Sequence, residues 1–205
     1  MPETKINKKR LEKLRKIKQE ILQGKNCLLY KYRIKNGFYP VIGEGNHQAK
    51  IMFIGEAPGL NEAKTGRPFC GKAGKILDEL LDSVDIKRQE VYITNIVKDR
   101  PPGNRNPTNE EIQAYAPYLD RQIEIIKPKI ICTLGNYSTA YIMKKYGLKT
   151  QIQGISKIHG RIFETGRQFD NVKIIPLYHP AVAVYNPNMM KTLKKDFKIL
   201  ARIIK

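Results

Sequence analysis

The chain has 205 residues, 41% of them hydrophobic, and sets 38 Lys and Arg against 19 Asp and Glu for a formal charge of +19. That length supports a single domain with a sizeable core, and no apolar run is long enough to span a membrane. No apolar stretch of the secretory kind follows the first basic residues, so a soluble, cytoplasmic protein is expected. A charge excess of this size favours a polyanionic partner, most simply nucleic acid. The three cysteines, Cys27, Cys70 and Cys132, are far apart and form no C-x-x-C pair. A disulfide framework is therefore not expected, and Cys132, inside an apolar run, reads as core.

In chain order, residues 8–23 place Leu11, Leu14, Ile17, Ile21 and Leu22 at helical spacing among Lys and Arg, which predicts a basic amphipathic helix closed by Gly24. Residues 25–47 carry no clear period and suggest an irregular wrap. A strand is expected at 49–54, then a Gly/Pro turn (GEAPG, 55–59), then a helix at about 72–84. A second strand covers 91–97, and a loop rich in Pro, Gly and Asn covers 98–107. Thr108 and Glu111 form a capping box for a helix at about 109–126. A third strand at 129–134 ends at Gly135-Asn136, where a helix to about 146 begins. Strands at 161–164 and 172–178 follow, the second ending in His179-Pro180-Ala181, and a helix at about 188–204 closes the chain.

Strands alternating with helices predict a three-layer α/β/α domain over residues 1–205, with a mostly parallel sheet of about four strands. In that layout Glu56, Asn95, Gly135 and His179 all fall at carboxyl ends of strands, where open α/β sheets hold ligands. They bring a carboxylate, an amide, a helix-start anion site and an imidazole to one rim. His47 and His159 have no comparable company.

These residues resemble the uracil-DNA glycosylases, and among them the thermophile-type family 4. The matching segments are 41–46 (VIGEGN), 51–59 (IMFIGEAPG), 66–74 (GRPFCGKAG), 91–98 (VYITNIVK), 100–107 (RPPGNRNP), 128–135 and 179–181 (HPA). They occur in the family order and cover roughly residues 25–190. The resemblance implies flipping of deoxyuridine from DNA and hydrolysis of its N-glycosidic bond, leaving an abasic site. It places His179 as the donor to uracil O2, where negative charge develops. It pairs Asn95 with uracil O4 and N3, which disfavours cytosine. It stacks Phe69 on the base, sets Ala57 beside it, and puts Glu62 near C5, where thymine carries a methyl group. Glu56 is the candidate for positioning the attacking water, since Ala57 stands where family 1 enzymes carry Asp. Arg100, Arg105, Gly135, Asn136 and Ser138 are implied phosphate contacts. Val182, Val184 and Tyr185 belong to the loop that fills the space of the flipped base.

One departure stands out. The family holds a four-iron, four-sulfur cluster on four cysteines, and here those positions carry Cys27, Tyr30, Asp99 and Tyr115. No cluster, and no other metal or cofactor, is expected. The expected partner is uracil-containing DNA, single- or double-stranded, bound by a monomer in the nucleoid, without a membrane. A sliding clamp is left open, with no clamp-binding peptide evident. Two rival readings remain: a non-cleaving module that binds damaged or single-stranded DNA, and a glycosylase for another deaminated base such as hypoxanthine.

Overall fold

Strands that are apolar along their whole length need cover on both faces, which a parallel sheet between two helical layers provides. The computed structural model, which describes residues 5–24 and 26–204, has this arrangement. Helices α1 (Lys5–Gln23) and α2 (Tyr30–Lys35) precede β1 (Glu44–Gly45) and β2 (Ile51–Gly55). After these come α3 (Leu60–Thr65), α4 (Lys72–Asp82), β3 (Tyr92–Asn95), α5 (Asn109–Ile126), β4 (Ile130–Leu134) and α6 (Asn136–Lys145). The chain continues through α7 (Ile155–Ile158), β5 (Phe163–Glu164), β6 (Lys173–Leu177) and α8 (Ala181–Tyr185) to α9 (Met189–Ile204).

The sheet order is β1-β3-β2-β4-β6-β5. The four central strands run parallel, matching those expected at 49–54, 91–97, 129–134 and 172–178; β1 and β5 pair antiparallel at the edges, so the sheet has six strands rather than about four. Two-residue strands are too short to show an alternation in sequence, and the strand expected at 161–164 shrinks to Phe163–Glu164 for the same reason. The stretch read as an irregular wrap holds α2 and β1. The short helices α3 and α8 escaped the periodic reading, since neither is long enough to repeat a stripe.

Side chains of each strand alternate between two cores. Phe53, Ile93, Cys132, Ile175 and Leu177 face α4, α8 and α9, whereas Met52, Ile54, Tyr92, Ile131 and Ile174 face α5 and α6. Cys132 is fully buried in the first core, in keeping with a filling role. A third cluster packs Leu14, Ile17 and Ile21 of α1 on Tyr115 and Tyr118 of α5. Gly24 ends α1 at φ +66°, where a Cβ would lie 1.7 Å from the Tyr30 ring. The Thr108 hydroxyl accepts the Glu111 N–H (3.2 Å) and the Glu111 carboxylate accepts the Thr108 N–H (2.8 Å), forming the expected capping box. With four strands parallel, Glu56, Asn95, Gly135 and His179 all leave the sheet at the same edge.

Candidate active site

Where β2 and β3 end, Gly55 pairs in register with Asn95. A Cβ on Gly55 would stand 2.3 Å from Asn95 Oδ1 and 2.8 Å from Phe69 Cζ. Only glycine lets the amide and the ring close over the strand end. Asn95 is buried. Glu56, next along, is half-buried, and burial pushes its carboxyl above the ordinary value.

Phe69 sits at φ +47°, a conformation that costs a non-glycine residue on the order of 1–3 kcal/mol. Two contacts hold it there. Glu62 Oε1 accepts the N–H groups of Cys70 (3.0 Å) and Gly71 (2.8 Å). Gly74 lets α4 approach so closely that a Cβ would lie 1.9 Å from the Phe69 carbonyl oxygen. Glu62 therefore lines the cavity and also fixes the turn that presents the ring.

The Phe69 ring stacks on His179 with centroids 5.5 Å apart and planes at 30°. His179 Nδ1 accepts the Ala181 N–H at 3.2 Å, so its hydrogen resides on Nε2, the nitrogen left to act as a donor. Burial lowers the His179 pKa to about 4 against the pull of the Glu62 charge, so the ring is neutral near pH 7. Gly135, at φ +93°, would place a Cβ 3.4 Å from His179 Cβ.

These groups surround a cavity of ≈ 290 Å³, lined by Glu56, Ala57, Glu62, Phe69, Asn95 and His179 together with Asn104, Arg105 and Asn106. The arrangement supplies an apolar ring for stacking, an amide that can donate and accept, a neutral imidazole donor and a carboxyl for water. Asn104 and Asn106 were not singled out in the sequence. They belong to the 100–107 segment, whose arginines drew attention, and nothing local marks an asparagine as facing a cavity.

The DNA-contact candidates divide. Tyr185 is 88% exposed at the end of α8, with Val182 and Val184 half-buried beside it. Arg105 is held by the Glu111 carboxylate through both terminal nitrogens (2.6 and 2.8 Å). Arg100 turns back onto α2, touching the Tyr32 hydroxyl (3.4 Å) and lying 5.7 Å from the Phe38 ring centre. Asn136 Oδ1 accepts the Ile155 N–H (2.9 Å). The Ser138 side chain is buried and donates to the Gly135 carbonyl at 3.3 Å. That turn can offer a phosphate main-chain N–H groups and the Asn136 amide, not the Ser138 hydroxyl.

The four positions equivalent to the cluster ligands meet in the α1/α5 region. Both oxygens of Asp99 receive the Arg33 guanidinium (2.9 and 3.1 Å), and the Tyr115 hydroxyl donates to Asp99 at 2.6 Å. Arg33 also donates to the carbonyls of Ile21 (2.9 Å) and Leu22 (3.0 Å) at the end of α1, and its guanidinium lies 4.9 Å from the Tyr30 ring centre. Burial pushes the Asp99 carboxyl up, while Tyr115 and Arg33 pull it back. Burial and the Asp99 charge push the lone thiol, Cys27, up. A four-iron cluster needs thiolates. One thiol, two phenols and a carboxylate engaged by arginine do not fit it, and among the described residues no group of three or more His, Cys, Asp or Glu could hold a metal ion.

Fold and cavity define a class. Residues 42–202 match the model of the uracil DNA glycosylase superfamily, and the chain belongs to that superfamily. It is 48% identical to the type-4 uracil-DNA glycosylase of Sulfurisphaera tokodaii over 189 residues, covering 92% of this chain and 83% of that protein. It is 46% identical to the type-4 enzyme of Saccharolobus solfataricus over 92% of this chain and 85% of the relative, and 40% identical to that of Archaeoglobus fulgidus over 94% of both. Within the superfamily, the chain belongs with the type-4 uracil-DNA glycosylases.

Proposed function

We propose that the protein removes uracil from DNA. Deoxyuridine flips into the cavity, Phe69 stacks on the base, and Asn95 pairs with O4 and N3 while Glu62 crowds C5. The C1′–N1 bond breaks with its electron pair leaving on uracil. His179 Nε2–H donates to O2, where that charge gathers, and a neutral imidazole suffices for this. A water molecule oriented by Glu56 adds its oxygen to C1′. Its released proton passes to solvent, where the uracil anion is protonated. The products are uracil and an abasic site.

The observation that carries this reading is convergence. Three strand ends, those of β2, β3 and β6, and the Phe69 turn bring the groups read as stacking, pairing, donor and water-orienting to one cavity, in a chain of this family. The basic charge suits a DNA partner, single- or double-stranded, and Tyr185 is the best-exposed group to fill the vacated stack. The reading takes the chain as one domain acting as a monomer in the cytoplasm, associated with the nucleoid. It also takes the enzyme to work without a cluster, because the Arg33–Asp99–Tyr115 contacts already join α1, α2, α5 and the loop after β3.

The test uses end-labelled oligonucleotides, single- and double-stranded, each with one uracil, hypoxanthine or mismatched thymine, followed by alkali. Scission at uracil alone supports the proposal. Tight binding without scission would move the protein to a non-cleaving binding module, and scission at hypoxanthine to a wider substrate range. Purified protein should contain no stoichiometric iron or inorganic sulfide.

A further inference from the structure

Behind Asn95 lies a buried group that the mechanism above does not use. Lys98 is fully buried, and its Nζ donates to the Asn95 carbonyl (2.6 Å), Gln122 Oε1 (2.6 Å) and Thr94 Oγ1 (2.8 Å). All three partners are acceptors. The Thr94 hydroxyl gives its hydrogen to the Ile42 carbonyl at 2.8 Å. The Gln122 amide gives its hydrogens to the Ile42 carbonyl (2.8 Å) and the Tyr92 hydroxyl (3.2 Å), which turns Oε1 toward Lys98. A neutral amine has two hydrogens and a lone pair, so a third acceptor would face that lone pair. An ammonium has three hydrogens and satisfies all three. Burial pulls the Lys98 ammonium well below its ordinary value, and the three acceptors around Nζ are the groups that favour the charged form. Among the described residues no carboxylate pairs with it.

We propose that Lys98 is a positioning residue for base excision: it locks the Asn95 peptide, and so the base-reading amide, and sets a positive charge behind that amide where uracil leaves as an anion. The proposal rests on the uracil-excision reading. A charge in a site with little water acts over a longer range than in solution. It favours the transition state over the bound substrate, because the C1′–N1 electron pair moves onto the ring only as the bond breaks. The Asn95 side chain faces the cavity while Thr94 faces α5, so the strand separates Lys98 from the base and direct contact is not required.

The experiment compares single-turnover rates on DNA containing uracil or 5-fluorouracil. The fluorinated base leaves as the more stable anion and needs less help. Lys98→Met should slow uracil release about 10- to 100-fold, below the loss for a donor in direct contact, and slow 5-fluorouracil release several-fold less, with DNA affinity retained. Gln122→Glu keeps an acceptor beside Lys98 and cancels its charge; it should show the same dependence on leaving group and carries the test if Lys98→Met does not fold. Equal slowing of both bases, or no slowing, overturns the assignment. Wild-type protein that leaves uracil in place overturns the excision reading, and the Lys98 assignment with it; wild-type cleavage with equal losses overturns the Lys98 assignment alone.

Discussion

Lys98 and Asp99 are consecutive and fully buried, one a base and the other an acid, yet their surroundings differ in kind. Asp99 meets a guanidinium through both oxygens and a phenol besides. Lys98 meets neutral acceptors only. A buried charge without a counter-charge is the costlier arrangement. On the proposed reading, the chain carries it beside the residue that reads the base, and compensates charge fully where the Arg33–Asp99 contacts join segments. The paired site has little net field to offer a ligand. On the proposed reading, the unpaired one keeps its field for the departing uracil anion.

The largest expected effect breaks the paired half. Arg33→Met or Asp99→Asn leaves a partner buried and uncompensated, and each should cost about 3–5 kcal/mol in urea unfolding. The double variant Arg33→Met/Asp99→Leu should be less destabilised than the two losses summed. Unchanged unfolding midpoints in the single variants would show that the contacts hold nothing.

Next comes the cavity itself. His179→Ala should lower kcat by about 10²–10³-fold with DNA affinity near wild type, checked by single-turnover rates beside equilibrium binding. Asn95→Asp should shift the preference for uracil over cytosine by about 1–3 kcal/mol, read from rates on matched oligonucleotides. A capping change away from both halves serves as a control. Thr108→Ala should cost ~1 kcal/mol of stability and leave the leaving-group dependence of the reaction unchanged.

The smallest effect is a slope with pH. The folded pKa of His179 is depressed to about 4 from an ordinary 6.5, so the unfolded chain binds the extra proton between those values. The stability tied to its neutral form is therefore complete above about pH 6.5 and is lost as pH falls toward 4. Wild type should lose stability relative to His179→Ala across that window, as followed by thermal unfolding. Its activity should show no ionisation near 6.5. A rate that rises when the ring protonates would sink the neutral-donor role.

Much of the site was legible because its chemistry sits at strand ends. Runs such as 51–54 and 130–134 are short, rich in Ile and bounded by Gly, which favours buried strands over helices, and the residues after each run then fall on the ligand edge. The double role of Glu62 was not legible, because its partners are main-chain N–H groups of a turn that carries Phe69 at positive φ. The inward turn of the Ser138 hydroxyl was not legible for a related reason. A serine in the first turn of a helix looks available, and only packing shows that it faces inward.

By itself, the sequence determined the parallel sheet, the helix caps, the four rim residues and the absence of a four-cysteine set, since each follows from local period, turn chemistry or residue type. Tertiary structure alone decided what Arg33 and Lys98 contact. In the sequence, Arg33 is one basic residue among several in KYRIK, and Lys98 opens a polar loop; neither stands out. Asp99 lies 66 positions from Arg33 and Gln122 lies 24 from Lys98. Whether a charge is paired, or held by neutral acceptors, depends on which distant segments fold against it, and no local pattern encodes that.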